Sequence, residues 1–176
     1  VGKALEGHAT ETNMLDKQTI LDSMLKEISV VKHLATKVPA GKEDFRLSEK
    51  QRSTLELLRY LSYCGVTALK ASLSGDWETG KKLSESAGKL SLKEIPAALD
   101  RQAAELKELF AQVKPEDLAK KMITRPGQEP MALGRLLLDS GFKYLPAYKM
   151  QLFLNLKASG RAELNSSNLW RGEDPK

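Results

Sequence analysis

The side chains best placed to do chemistry in this sequence are phenols and amides. Tyr144, Tyr148, Gln151 and Asn155 follow Leu137 at three-, four- and seven-residue spacing, which on a helix lines them up as one stripe of polar-tipped groups. Phenol and amide tips donate and accept hydrogen bonds, so such a stripe suits orientation of a ligand more than bond breaking. Tyr60 and Tyr63 lie on another helical segment, and Cys64 follows four residues after Tyr60. The chain has only two histidines, His8 and His33, so a three-histidine metal site is out of reach. His33 keeps step with an apolar stripe and reads as a structural residue. Cys64 is the single cysteine, which excludes an internal disulfide and a thiolate-rich metal site. With no base beside it in sequence, it reads as a buried, inert thiol. No catalytic motif stands out.

The elements that must position these groups belong to an ordinary globular chain. It has 176 residues, 41% hydrophobic and 29% charged, enough for one domain to bury a core without a metal. The net charge of +5 comes from lysines scattered in short pairs such as Lys81-Lys82 and Lys120-Lys121. Without a basic block interleaved with aromatics, nucleic acid is not an expected partner. No stretch reaches the roughly 18 to 20 consecutive apolar residues of a membrane span, so no membrane partner is expected either. A cytoplasmic location fits the lone cysteine.

Four segments carry a helical apolar period. Ile20, Leu21, Met24, Leu25, Ile28, Val31, Leu34 and Ala35 mark a first helix over Asn13 to Lys37, ended by Pro39 and Gly41. Ser53 to Glu56 forms a capping box that opens a second helix reaching Ser72, with Leu57, Leu58, Leu61, Cys64, Ala68 and Leu69 inward. A loop holding Trp77, Gly80 and Gly88 follows, with room for a short helical turn. Ser91 to Glu94 is a second capping box, opening a third helix to Val113 that tolerates Pro96 in its first turns. Pro115, Pro126, Gly127 and Pro130 punctuate a connector with a brief helix at Glu116 to Lys121. The fourth and longest helix runs from Pro130 or Met131 to Ser159, with Gly160 as its stop and Leu138, Phe142, Leu145, Leu152 and Leu156 as its apolar stripe. No alternating strand pattern is visible. Four amphipathic segments bury their faces together most simply as a helical bundle.

Within the fourth helix, YLPAYKMQLFLNLKASG resembles the segment of the DinB-like, or YfiT-like, bundles that reads H-E-x-H-H-R-G-Q, then aliphatic residues, Arg and Gly. Gln151 falls on the Gln of that pattern, Lys149 on its Arg and Gly160 on its closing Gly. Ser53 to Tyr60 resembles the second-helix segment that usually ends in His. The resemblance spans about Asp16 to Gly160 and implies an all-α fold, an up-down-type four-helix bundle with short extra helices in the connectors. The expected organisation is an arm over 1–12, the bundle over 13–160, and a tail over 161–176 packed on or near it, with Trp170 as its large apolar anchor. The resemblance also implies a homodimer.

Members of that family generally hold a divalent metal with three histidines, one on the second helix and two four residues apart on the fourth. Carried over by position, the ligands become Tyr60, Tyr144 and Tyr148. Phenols must lose a proton before they ligate well, so no metal and no cofactor are expected. Two readings of the tyrosines remain. They are half-buried aromatics packing the bundle edge, or they line a pocket in which Tyr60, Tyr63, Tyr144, Tyr148, Gln151 and Asn155 orient a small molecule. The sequence thus reads as a metal-free small-molecule-binding or interaction module. A thiol-dependent transferase or hydrolase with tyrosine proton donors, and a structural homodimer, are the alternatives. Trp77 and Trp170 read as packing or partner-facing aromatics, and Glu56 as a cap.

Overall fold

A computed structural model describes residues 16–175 of the chain. The 1–12 arm, His8 and the first residues of the expected opening helix lie outside the described residues. The Asp16 carboxylate accepts from the Thr19 N–H at 2.7 Å and starts α1 (Lys17–Ala35), whose Met24, Val31 and Leu34 are fully buried. Such a cap satisfies one of the donors that every helix start leaves free.

The expected second helix is two helices, α2 (Thr54–Leu61) and α3 (Cys64–Ser74). Its capping box forms as expected: the Ser53 N–H donates to Glu56 Oε2 at 2.6 Å and the Glu56 N–H to Ser53 Oγ at 3.3 Å. The break falls at Tyr63, whose φ of −139° and ψ of −16° leave the helical region. A side chain from α5 (Ile95–Ala111) spans it. Gln102, 2% exposed, donates through Nε2 to the Leu61 carbonyl and accepts at Oε1 from the Gly65 N–H, both at 2.8 Å. A Cβ on Gly65 would stand 3.1 Å from that Oε1 and 3.3 Å from Leu145 Cδ1, so the glycine serves close approach. Periodicity conceals the break because the apolar stripe continues across it.

In the loop after α3, α4 (Thr79–Ala87) takes the place of the expected helical turn. The second capping box forms a 3₁₀ turn at Leu92–Glu94 that feeds α5, with Pro96 in its first turn. The connector contains α6 (Asp117–Lys120) and a two-residue antiparallel ladder, β1 (Met122–Ile123) against β2 (Met131–Ala132), with Met122 opposite Ala132 and Ile123 opposite Met131. Two residues are too few for an alternation to register in sequence.

The fourth helix begins later than expected because β2 takes Met131 and Ala132. It comprises α7 (Leu133–Leu136), a π-helical turn at Leu137–Phe142, and α8 (Tyr144–Ala158). A π turn inserts an extra residue into the helical winding and rotates the helix on its N-terminal side against the helix on its C-terminal side. Leu138, expected inward, is therefore 36% exposed, whereas Leu137 is fully buried along with Leu145, Leu152 and Leu156. Gly160 ends the helix with φ of +121°, as its type predicts.

α1 packs on α5 and α8, α2 on α8, and α3 on α5 and the π turn, which closes an all-α bundle around the core. Among the described residues no helix is long and apolar enough to cross a membrane.

The C-terminal tail lies against α1, anchored otherwise than Trp170 suggested. Leu164 and Leu169 are buried, while Trp170 is 52% exposed. A second π turn, Ser167–Arg171, ends at Gly172, whose φ of +68° lets the backbone approach α1 so closely that a Cβ would stand 3.2 Å from Val30 Cα. This contact explains the full burial of Val30, a residue off the expected inward stripe. His33 meets Asn168 across 3.1 Å, and Lys37 pairs with Asp174 at 2.7 Å, so the lone histidine of α1 helps to seat the tail.

Candidate functional site

Tyr60 near the end of α2, Tyr63 at the helix break, and Tyr144 and Tyr148 on the first two turns of α8 gather into one aromatic cluster. Tyr60 and Tyr148 meet edge to face with centroids 4.8 Å apart, Tyr60 and Tyr63 at 5.4 Å, and Tyr144 and Tyr148 at 6.4 Å. These are favourable aromatic geometries. The Arg52 guanidinium, just ahead of the Ser53 cap, stands 4.4 Å from the Tyr60 ring centre and 5.3 Å from that of Tyr148. The cluster packs α2 against α8.

Tyr60 and Tyr63 divide two concavities. On one side is an open vestibule of about 470 Å³, in which Arg46, Lys50, Arg52 and Arg59 face Glu49 and Glu56. On the other is a less open, more apolar cleft of about 310 Å³. Tyr60, Tyr63 and Tyr144 line it together with Cys64, Trp77, Ala71, Thr67, Ser140 and Arg125. Its volume and mixture of apolar walls with few polar tips fall within the range of small-molecule sites.

Of the expected pocket residues, Tyr148 supports Tyr60 but does not line the cleft, and neither Gln151 nor Asn155 lines it. The reason is helix rise: at about 1.5 Å per residue, Gln151 and Asn155 lie roughly 10 and 16 Å along the axis from Tyr144. A shared stripe is longer than one cleft mouth. Asn155 is instead fully buried, and neither side-chain atom finds a hydrogen-bond partner among the described residues.

Two cleft residues hold their protons firmly. Burial, chiefly, drives the Tyr60 phenol well above its ordinary range, with Cys64, Tyr148 and Tyr144 adding to the rise and Arg52 opposing it. Burial pushes the Cys64 thiol up to about 12. Both therefore act as neutral groups near pH 7.

Tyr60, Tyr144 and Tyr148, the positions that the sequence resemblance carries over as metal ligands, offer a divalent ion only phenol oxygens. Ligation would require phenolates where burial already opposes one, and the Arg52 cation occupies the face of two of the rings. Among the described residues, no group of three or more His, Cys, Asp or Glu residues comes together to offer another site.

The sequence did not single out Arg125, Ser140 or Arg52. Arg125 sits in a connector without periodicity, and Ser140 faces the cleft only because of the π turn. The arginine Nη1 donates to Ser140 Oγ at 3.1 Å, while its Nε is buried with no acceptor among the described residues.

A second polar feature lies apart from the cleft. Lys149, 1% exposed, pairs with Glu27 of α1 at 2.7 Å, and its ammonium lies 4.6 Å from the centre of the Trp170 ring. Trp170 thus shields a buried ion pair that joins α8 to α1.

No family model and no curated protein matches the chain. Among solved structures it is similar to a DinB-like protein, YjoA, from Bacillus subtilis, with a TM-score of 0.64 and 17% identity over 83% of this chain and 95% of that one. The correspondence covers nearly the whole of the neighbour and most of this chain, and the chain accordingly has the DinB-like fold.

Proposed function

We propose that the protein is a metal-free small-molecule-binding module whose site is the tyrosine-lined cleft between α3, α4 and the π turn. The observation that carries this reading is the composition of the cleft wall: three phenols, a hydroxyl pair and an indole around apolar side chains; two of the phenols, Tyr60 and Tyr144, stand where the sequence resemblance implies histidine ligands. Neutral phenols orient a ligand through hydrogen bonds without requiring a charge partner. The elevated Cys64 thiol and Tyr60 phenol favour binding over nucleophilic chemistry, because a nucleophile must be deprotonated to react.

The test pairs a metal titration with a cleft-filling variant. Wild-type protein should bind no stoichiometric zinc, nickel or manganese, and should gain no thermal stability from them. Aromatic probe molecules should shift the amide resonances of Thr67, Trp77 and Ser140, and Ala71→Phe, which fills the cleft, should abolish those shifts. A stoichiometric metal that is lost on substitution of Tyr144 or Tyr148 would overturn the proposal.

A further inference from the structure

Among the described residues, Arg125 is the one charged residue that lines the cleft. It enters no ion pair among the described residues. Among the described residues its single side-chain hydrogen bond goes to the Ser140 hydroxyl, and its Nε is buried without an acceptor. Buried polar groups are ordinarily satisfied, and a guanidinium carries five N–H donors in a planar fork that matches a carboxylate. Ser140 Oγ accepts from Arg125, which leaves its own proton free to donate to the same acceptor. The cleft therefore presents one cationic corner and one hydroxyl donor, facing apolar walls.

The adjoining vestibule has the same sign. Four cations, Arg46, Lys50, Arg52 and Arg59, stand against the two carboxylates of Glu49 and Glu56. Arg46 pairs with Glu56, and the Arg59 Nε donates to the Leu90 carbonyl, whereas Arg52 stacks on tyrosines without a carboxylate partner among the described residues. A concavity with excess positive charge raises the local concentration of anions.

We infer that the cleft takes an organic acid, its carboxylate held by Arg125 and Ser140 and its aromatic or short aliphatic body lying between Trp77, Ala71 and the tyrosines. This inference rests on the cleft being the ligand site. It goes further by fixing the charge and shape of the ligand: a single acid group at one end and an apolar body, sized for a cleft of about 310 Å³. A free amine at the apolar end would find no carboxylate in the cleft lining among the described residues.

Trp77 supplies the readout. The full chain carrying Trp170→Phe has Trp77 as its only tryptophan, and its emission is followed during titration with phenylacetate and 3-phenylpropionate, each beside its neutral amide. The expected result is saturable quenching or shift, with each acid binding at least about tenfold more tightly than its amide, the scale of a charge-assisted, bidentate contact. Arg125→Gln should remove the preference for the acid. Should that variant fail to fold, the comparison of acid with amide on the intact arginine decides the matter alone. Equal affinity of acid and amide, blocked for both by Ala71→Phe, would overturn the assignment of an acidic ligand while leaving the cleft as a binding site. Failure of every probe to saturate would overturn both.

Discussion

Both amide atoms of Asn155 are buried without a hydrogen-bond partner among the described residues, so Asn155→Leu removes two unsatisfied polar groups and replaces them with carbon of nearly the same shape. Each unsatisfied group costs about 1–3 kcal/mol, and burying aliphatic surface at the same position adds to the gain. Against this stands the shape change at a fully buried site, typically below about 1.5 kcal/mol when volume is conserved. The net expectation is stabilisation of about 1–2 kcal/mol, which for a chain of this size raises the melting temperature by roughly 2–8 °C. Urea denaturation of both proteins, with equal slopes, measures it directly. Because Asn155 does not line the cleft, phenylacetate binding should be unchanged in the variant. A loss of stability of 1 kcal/mol or more, on the order of one hydrogen bond, would refute the reasoning by showing that the amide is satisfied in solution.

Gln102→Leu should destabilise the fold by about 2–4 kcal/mol, since it orphans the Gly65 N–H and the Leu61 carbonyl at the α2–α3 break; denaturant titration checks this, and a neutral result would mean the break heals into continuous helix. His33 should titrate below the ordinary imidazole value of about 6.5, because burial and then Lys37 outweigh the opposing pull of Asp174 and Glu173. The unfolded chain then binds the proton more readily, so the contribution of His33 to stability is complete above about pH 6.5 and is lost as pH falls through its folded value; an NMR midpoint above 6.5 would contradict the assignment. Cys64 should react with iodoacetamide at neutral pH far more slowly than a free thiol, and acceleration by denaturant should restore the ordinary rate.

The features legible in the sequence were local or periodic. The capping boxes at Ser53 and Ser91 involve residues three apart, and the inward faces of α1 and α5 repeat over many turns, so both signals survive without tertiary information. The break at Tyr63 does not, because it depends on Gln102 reaching from a helix nearly forty residues away in sequence. The placement of the tyrosines on two helical segments follows from spacing, their convergence across those segments came from a resemblance to known bundles, and their assembly into a cluster needed the fold. Extending the polar stripe to Gln151 and Asn155 confused a shared helix face with a shared cavity. Arg125 was hidden for the opposite reason: a connector rich in Pro and Gly carries no period, and only the packing of that connector against the π turn brings its guanidinium to the cleft.

The extra residue wound into Leu137–Phe142 gives the site an unusual vulnerability. An α-helix advances about 100° per residue, so deleting one residue there and letting the helix rewind would swing α7 and the attached hairpin by that angle relative to the tyrosines of α8. No side chain of the cleft need be altered, yet Ser140 and Arg125 would face a different direction from Tyr144. The two walls of the cleft are thus kept in register by a count of residues, and a single-codon deletion in this turn would separate the cation from the phenols as effectively as replacing either.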